Sequence, residues 1–184
     1  AMTDEFSSPI KPWIKKPRPI ELVGDYYIIF HILEQYVQNI LRMDEQTIPK
    51  QVPLIEEKYL FNYSLEANKQ KINLRLGGRI DRIDVSDNTI KVLEYKTGKA
   101  ENKKEFSFME DLFSRENKNR KDYIFQIFLY SYLLEQNDFI GKTIVPQLLF
   151  IRESYQKEFD AGVLYKTKNG FEKINSIQNI APEF

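Results

Sequence analysis

Residues 77–96, GGRIDRIDVSDNTIKVLEYK, decide how this chain folds. Two runs with strand alternation flank Ser86-Asp87-Asn88, a polar cluster typical of tight hairpin turns. If Asp87 and Asn88 form the loop, the register follows by counting, and Asp81 lies opposite Glu94. Like charges that face each other across two strands destabilise a sheet unless a proton or a cation lies between them. Carboxylate oxygens suit a hard cation, Mg²⁺ or Mn²⁺.

A second interpretation of the same hairpin is an exposed, charged ribbon. In that case Asp84 pairs with Lys91, which the same count places opposite it, and the other charges are solvated. Lys96 lies on the face of Glu94 in either case, because side chains repeat every second residue along a strand. The hairpin residues alone leave both interpretations open.

Composition excludes several classes of function. The 184 residues suffice for one domain with a sizeable core. Lys and Arg number 27, as do Asp and Glu, so a nucleic-acid partner must be held by local patches. The absence of Cys removes disulfides, thiol nucleophiles and thiolate metal sites. No apolar run approaches a membrane span and no signal peptide opens the chain, so we expect a cytoplasmic protein.

The chain ends are expected to differ from its centre. Four prolines among basic residues predict that residues 1–20 form an extended basic arm or linker, with residues 21–184 as a single domain. Ala1 precedes Met2, so we expect the natural polypeptide to begin elsewhere. The domain is accordingly expected to belong to a larger polypeptide.

The remaining elements predict an α/β fold. Apolar residues at helical spacing indicate a helix over residues 25–43 with a buried stripe, and residues 123–136 form an almost wholly apolar helix. Strands are predicted at 52–66, 70–80 and 143–151, with another near 161–165 that could pair with the third. The stripe comprises Ile29, Ile32, Leu33, Tyr36, Val37, Ile40 and Leu41. We therefore expect a mixed β-sheet with an antiparallel active-site hairpin, flanked by helices.

The segments GRIDRID and LEYKTG lie in the two strands of this hairpin and at its end. They resemble motifs of the PD-(D/E)XK nuclease superfamily, and specifically of its RecB-like branch, the nuclease domains of bacterial helicase–nucleases. The stretch GDYYIIFHILE at 24–34 resembles the first motif of that branch, and Gln126-x-x-x-Tyr130 resembles its third. The resemblance covers about residues 24–134. Several relatives carry a four-cysteine iron–sulfur cluster, which a chain without Cys does not have.

The resemblance implies a restriction-endonuclease-like fold and metal-dependent hydrolysis of DNA. It implies a catalytic role for Asp81, Glu94 and Lys96. It also implies an Mg²⁺ or Mn²⁺ site formed by His31, Asp81, Glu94 and the backbone carbonyl of Tyr95. Without the resemblance, His31 would be a solvated side chain on a polar helix face.

The same resemblance places Gln126 and Tyr130 along the DNA path, although a buried amide could equally hydrogen-bond to the backbone. A basic cluster follows the hairpin, either as a solvated loop or as a phosphate-binding patch, and comprises Arg115, Lys118, Arg120 and Lys121. The implied context is a DNA-repair exonuclease with a helicase domain or subunit as its partner. The alternative is a catalytically silent module that binds DNA or a partner protein.

Overall fold

The structure is a computed structural model that describes residues 23–46, 54–67, 69–113, 121–156 and 159–180. Contacts within the chain divide it into two units, Ala1–Gln35 and Tyr36–Phe184. Each unit is described by itself. The predicted arm at residues 1–20 lies outside the described residues. No helix in the described ranges is long and apolar enough to cross a membrane.

The described residues form three α-helices and seven strands. The helices are α1 (Asp25–Gln46), α2 (Glu110–Phe113) and α3 (Asp122–Asn137). The strands are β1 (Leu54–Ala67), β2 (Gln70–Val85), β3 (Thr89–Lys96), β4 (Glu105–Phe106), β5 (Thr143–Phe150), β6 (Leu164–Thr167) and β7 (Gly170–Lys173). Short 3₁₀ turns occupy Ile151–Glu153 and Ile177–Asn179.

The main sheet has the strand order β1-β2-β3-β5 among the described residues. The first three strands are antiparallel neighbours, whereas β5 returns parallel to β3 after the chain has passed through α3. A parallel return needs a crossover connection, and α3 provides it. The predicted α/β fold with a mixed sheet flanked by helices is confirmed.

A second sheet, β4-β6-β7, was not predicted. The strand expected near 161–165 pairs with β5 only through an isolated bridge between Gln147 and Gly162, and the chain then continues into the second sheet as β6. Pro146 is compatible with an edge strand or a bulge, and among the described residues β5 is the last strand of the main sheet.

The core lies between the main sheet and α3. Seven residues of α3 are buried, as expected for a helix that is apolar nearly all round. Ile83, Val92 and Ile144 cover the sheet side of this core. A smaller cluster, Leu93, Leu149 and Ala161, is packed against Ile40 and Met43 of α1.

The prediction of a buried stripe on α1 is wrong for most of its residues. Only Tyr36 and Ile40 are partly buried, whereas the other five are between 42% and 56% exposed. These five are Ile29, Ile32, Leu33, Val37 and Leu41. The helix itself is present, from Asp25 to Gln46. Helical periodicity identifies the apolar side of a helix, but it carries no information on what covers that side.

Candidate active site

The hairpin has the register that the two-residue loop predicts. The Ser86 amide donates to the Thr89 carbonyl across the turn at 2.9 Å. The paired residues are Val85–Ile90, Asp84–Lys91, Ile83–Val92 and Arg82–Leu93. The same count brings Asp81 and Glu94 to the next position, immediately beyond the last regular pair.

Strand β2 is irregular at Asp81. Ile80 and Ile83 belong to the same core, although residues three apart on a regular strand point to opposite faces. Opposite Asp81 on β1, Glu56 has a φ of +55°, an unusual value for a residue other than glycine. In place of a regular ladder bond, the Tyr95 amide donates to the Asp81 carboxylate at 2.8 Å. This bond fixes the carboxylate at the end of β3, next to Glu94.

Glu94 is a buried carboxylate, only 3% exposed. Its Oε2 accepts a hydrogen bond from Lys96 Nζ at 3.1 Å, whereas its Oε1 is buried and has no partner among the described residues. Burial raises the pKa of Glu94, and the negative charge of Asp81 raises it further, while Lys96 opposes both effects. The net effect is a raised pKa of Glu94.

Lys96 links the hairpin to α3. Its ammonium donates to Gln126 Oε1 at 2.9 Å and lies 4.8 Å from the centre of the Tyr123 ring. Gln126 in turn donates from Nε2 to the Tyr130 hydroxyl at 3.3 Å. A Gln in an apolar helix needs hydrogen-bond partners, and both ends of the Gln126 amide have them. Tyr123 was missed because an aromatic residue on a buried helix is ordinarily part of the core.

The Gly-Gly pair before Asp81 permits a close approach. A Cβ on Gly78 would overlap the Tyr130 hydroxyl, and a Cβ on Gly77 would overlap the Tyr59 carbonyl. Gly77 also has a φ of +139°, which L side chains rarely adopt. The Tyr130 hydroxyl therefore reaches Gln126 only because residue 78 has no side chain.

The structure brings together five of the predicted side chains or groups: Asp81, Glu94, Lys96, Gln126 and Tyr130. Tyr95 joins them through its backbone. His31 lies in the first unit, where its Nδ1 is 3.1 Å from Glu34 Oε2 and its ring packs edge-on against Tyr27. Its role toward a metal stays a prediction.

The basic cluster after the hairpin is described only in part. Lys121 Nζ donates to the Asn102 carbonyl at 2.9 Å. The other three residues, Arg115, Lys118 and Arg120, lie outside the described residues. A phosphate-binding role of this cluster also stays a prediction.

The interpretation that pairs Asp84 with Lys91 is wrong for the side chains. The two residues are opposite in the ladder, but the Asp84 carboxylate instead accepts two hydrogen bonds from Arg82, at 2.6 and 3.0 Å. Arg82 also donates to Asp44 of α1 at 2.8 Å. The spacing of two between Arg82 and Asp84 was the available sequence signal, whereas nothing in the sequence indicated Asp44.

The carboxylate oxygens of Asp81 and Glu94 fit a divalent cation, although they are few in number. Within the ranges the structure describes, no three His, Asp or Glu side chains come together in a group that could hold a metal. Two carboxylates do meet, and one of them has a buried oxygen without a partner. Hard cations take such oxygens, together with backbone carbonyls and water. The positive charge of a cation would also lower the raised pKa of Glu94.

The fold and the charged hairpin define the chain as a nuclease-like α/β protein. A family model, the PD-(D/E)XK nuclease superfamily, matches residues 21–182, and the chain belongs to this superfamily. Its members are usually nucleases that act on DNA and generally use divalent metal ions. Comparison with curated proteins and with solved structures found no match.

Proposed function

We propose that this chain is a metal-dependent deoxyribonuclease of the RecB-like type, which hydrolyses phosphodiester bonds in DNA end-processing or repair. The observation that carries the proposal is the meeting of Asp81, Glu94 and Lys96 where β2 and β3 end their pairing. Two carboxylates, one buried oxygen without a partner and one ammonium are the groups that phosphodiester hydrolysis with a divalent ion requires.

Asp81, Glu94 and the Tyr95 carbonyl would hold Mg²⁺ or Mn²⁺, with His31 as a further ligand by resemblance to the family. Such an ion stabilises charge on the phosphate and lowers the pKa of a bound water. The Tyr95 amide supports this arrangement, because it donates a hydrogen bond to the Asp81 carboxylate at 2.8 Å and so orients it.

Lys96 is held in place before any substrate binds. Glu94 and Gln126 both accept hydrogen bonds from its ammonium, and the Tyr123 ring lies against it. A preorganised cation loses little free energy to reorganisation when negative charge develops on a phosphate. We assign to Lys96 the stabilisation of that charge and the orientation of the attacking water.

Gln126 and Tyr130 are assigned to positioning of the DNA, because they share one hydrogen-bond chain with Lys96. Lys121 and its basic neighbours Arg115, Lys118 and Arg120 are assigned to phosphate contacts beside the site. A helicase domain or subunit is the proposed partner, and an exonuclease acting on DNA ends in the cytoplasm is the proposed setting.

The test is degradation of labelled DNA with Mg²⁺ or Mn²⁺, with and without EDTA. Asp81→Ala and Lys96→Ala are each expected to lower the rate at least about a hundredfold, because each removes a group that acts on the reacting phosphate. The matched controls are Glu110→Ala and Lys166→Ala, which remove exposed charges of the same signs from α2 and β6. Full activity in either site variant contradicts the assignment.

A silent module that binds DNA or a partner protein is the second candidate. It is favoured by the ion pair between Lys96 and Glu94, which already neutralises one carboxylate without a metal. Calorimetric titration with Mn²⁺ separates the two candidates. A nuclease is expected to bind the ion and to lose that binding in Asp81→Ala, whereas a silent module releases no heat and cleaves no DNA.

A further inference from the structure

The first two strands extend far beyond the main sheet as a two-stranded ribbon. Their pairing continues from Lys58–Arg79 to Ala67–Gln70, whereas β3 pairs with β2 only at residues 82–85. Within the described part of the chain, residues 70–79 of β2 are therefore paired with β1 alone.

The ribbon has two chemically different faces. Tyr59, Phe61, Leu74 and Leu76 lie on one face and are partly buried. This face is directed to α3, where the Tyr63 hydroxyl accepts a hydrogen bond from Asn137 Nδ2 at 3.3 Å. The aromatic and aliphatic side chains of the ribbon are thus mostly used for internal packing.

The opposite face is polar and carries four cations, which we call the basic row: Lys58, Lys71, Arg75 and Arg79. Two carboxylates share this face. Glu56 forms an ion pair with Arg79 at 3.4 Å, and Glu66 is the ladder partner of Lys71. Lys58, Lys71 and Arg75 form no ion pair with any described residue. The chain has no net charge, so this excess of positive charge is local.

The basic row is regular, and it lies on the face of the ribbon that is turned away from α3. Lys71, Arg75 and Arg79 recur every fourth residue, which separates neighbours by about 13 Å along the strand. Arg79 precedes Asp81 by two residues, or about 7 Å. Between the cations lie the polar side chains of Asn62, Ser64 and Asn73. They line a surface pocket of about 400 Å³ together with Tyr63, Leu74 and Arg75.

We propose that the basic row binds the phosphate backbone of DNA. This inference rests on the proposed function, since it names the surface along which that substrate lies. Cations in a line, with amide and hydroxyl groups between them, match the side chains that contact phosphate and sugar in protein–DNA complexes. Such contacts position the nucleic acid without reading its sequence.

An acidic protein partner fits this face less well. Protein interfaces depend on buried aromatic or aliphatic anchors at their centre. The aromatic residues Tyr59, Phe61 and Tyr63 lie on the other face of the ribbon, and Leu60 is the sole large apolar residue among the polar positions from Lys58 to Glu66. The basic row therefore fits a polyanion, which it attracts electrostatically, better than it fits an acidic protein.

The test compares two double variants with the same change in charge. Lys71→Gln/Arg75→Gln removes half of the basic row. Lys166→Gln/Lys168→Gln removes two cations from the region of β6 and the turn after it. Binding of labelled single- and double-stranded oligonucleotides is measured by fluorescence anisotropy in EDTA, over a series of salt concentrations, with the full chain. EDTA prevents cleavage, so the measurement reports binding alone.

The loss of two phosphate contacts lowers the slope of log K against log salt by about 1.4 for single strands and 1.8 for duplex DNA. At 0.1 M salt this corresponds to about 20- to 60-fold weaker binding for the variant of the basic row. The control double variant is expected to bind within about threefold of the unchanged chain.

Equal affinity of both double variants overturns the inference. Tighter binding of poly-glutamate than of either oligonucleotide, reduced by the same substitutions, also overturns it, since the row would then serve an acidic protein. The outcome is separate from that of the proposed function. If the chain binds DNA through the basic row but does not cleave it, the proposed nuclease activity is refuted and the inference stands. If the chain cleaves DNA and the double variant of the basic row binds DNA as tightly as the unchanged chain, the inference is refuted and the proposed nuclease activity stands.

Discussion

Substitution of Arg82 by Met is expected to destabilise the protein strongly. Arg82 lies on the opposite side of the hairpin from Glu94 and Lys96, with a side chain that is 7% exposed. It donates to both oxygens of Asp84, which is 9% exposed, and to Asp44, which is 34% exposed. Burial alone would lower the pKa of Arg82, but the hydrogen bonds to Asp44 and Asp84 outweigh burial and raise it. The guanidinium is thus charged at every accessible pH.

The magnitude follows from what the substitution leaves behind. Removal of one partner of a buried ion pair typically costs 3–5 kcal/mol, because the remaining charge is uncompensated. We expect about 3 kcal/mol, at the lower end, since Lys91 lies opposite Asp84 and can partly replace the lost charge. For a chain of this length that loss corresponds to a fall in Tm of about 6–12 °C.

The assay is equilibrium unfolding in urea, followed by circular dichroism. Arg82→Met/Asp84→Leu is expected to recover most of the loss and to lie within about 1.5 kcal/mol of the unchanged chain, because both charges of the buried Arg82–Asp84 pair are removed and Asp44 is one-third exposed. Arg79→Met is the matched control on the same strand. Its ion pair with Glu56 is exposed on both sides, so its free energy of unfolding should change by no more than about 0.5 kcal/mol.

The buried ion pair does not stabilise the protein as expected if Arg82→Met lowers the free energy of unfolding by less than about 1 kcal/mol. The same follows if the loss in the double variant equals the sum of the losses in the two single variants. Either result would mean that the buried charges of Arg82 and Asp84 are compensated by something other than each other. A fall in stability of Arg79→Met equal to that of Arg82→Met would show that burial does not decide the outcome.

Two further predictions concern the site itself. Gly78→Ala should destabilise by about 1–3 kcal/mol through overlap with the Tyr130 hydroxyl, and Gly78→Ala/Tyr130→Phe should recover part of that loss in urea unfolding; no recovery would place the strain elsewhere. The raised pKa of Glu94 means that its contribution to stability is present at low pH and is lost as pH rises through the folded value. In EDTA, the stability of the unchanged chain should therefore fall relative to Glu94→Gln as pH rises above about 4, and Mg²⁺ should reverse the fall; a pH-independent difference would contradict this.

Local chemistry allowed the hairpin to be predicted from sequence in detail. Asp87 and Asn88 form a loop of fixed length, and a fixed loop determines every pair of the register behind it. The position of Asp81 opposite Glu94 follows from this count alone.

Contacts between distant segments were less predictable. The Asp44–Arg82 bond joins residues 38 positions apart, and no local pattern selects Asp44 over other acidic residues of α1. The second sheet was missed for the same reason, since β4 has only two residues and exists through its pairing with β6. The stripe on α1 failed because apolar periodicity identifies a side of a helix and not its covering surface.

Tyr95 connects the two sides of the hairpin, and this explains why the site tolerates so irregular a strand at Asp81. Its backbone amide donates to Asp81, while its hydroxyl accepts from Arg82 at 3.4 Å. A displacement of Arg82 would move the Tyr95 ring, and with it the amide that orients the Asp81 carboxylate. Arg82→Met/Asp84→Leu, which restores stability but leaves Tyr95 without this partner, should consequently bind Mn²⁺ more weakly than the unchanged chain in calorimetric titration. Unchanged Mn²⁺ affinity in that stable variant would show that the Asp81–Tyr95 bond holds the carboxylate without support from the opposite face.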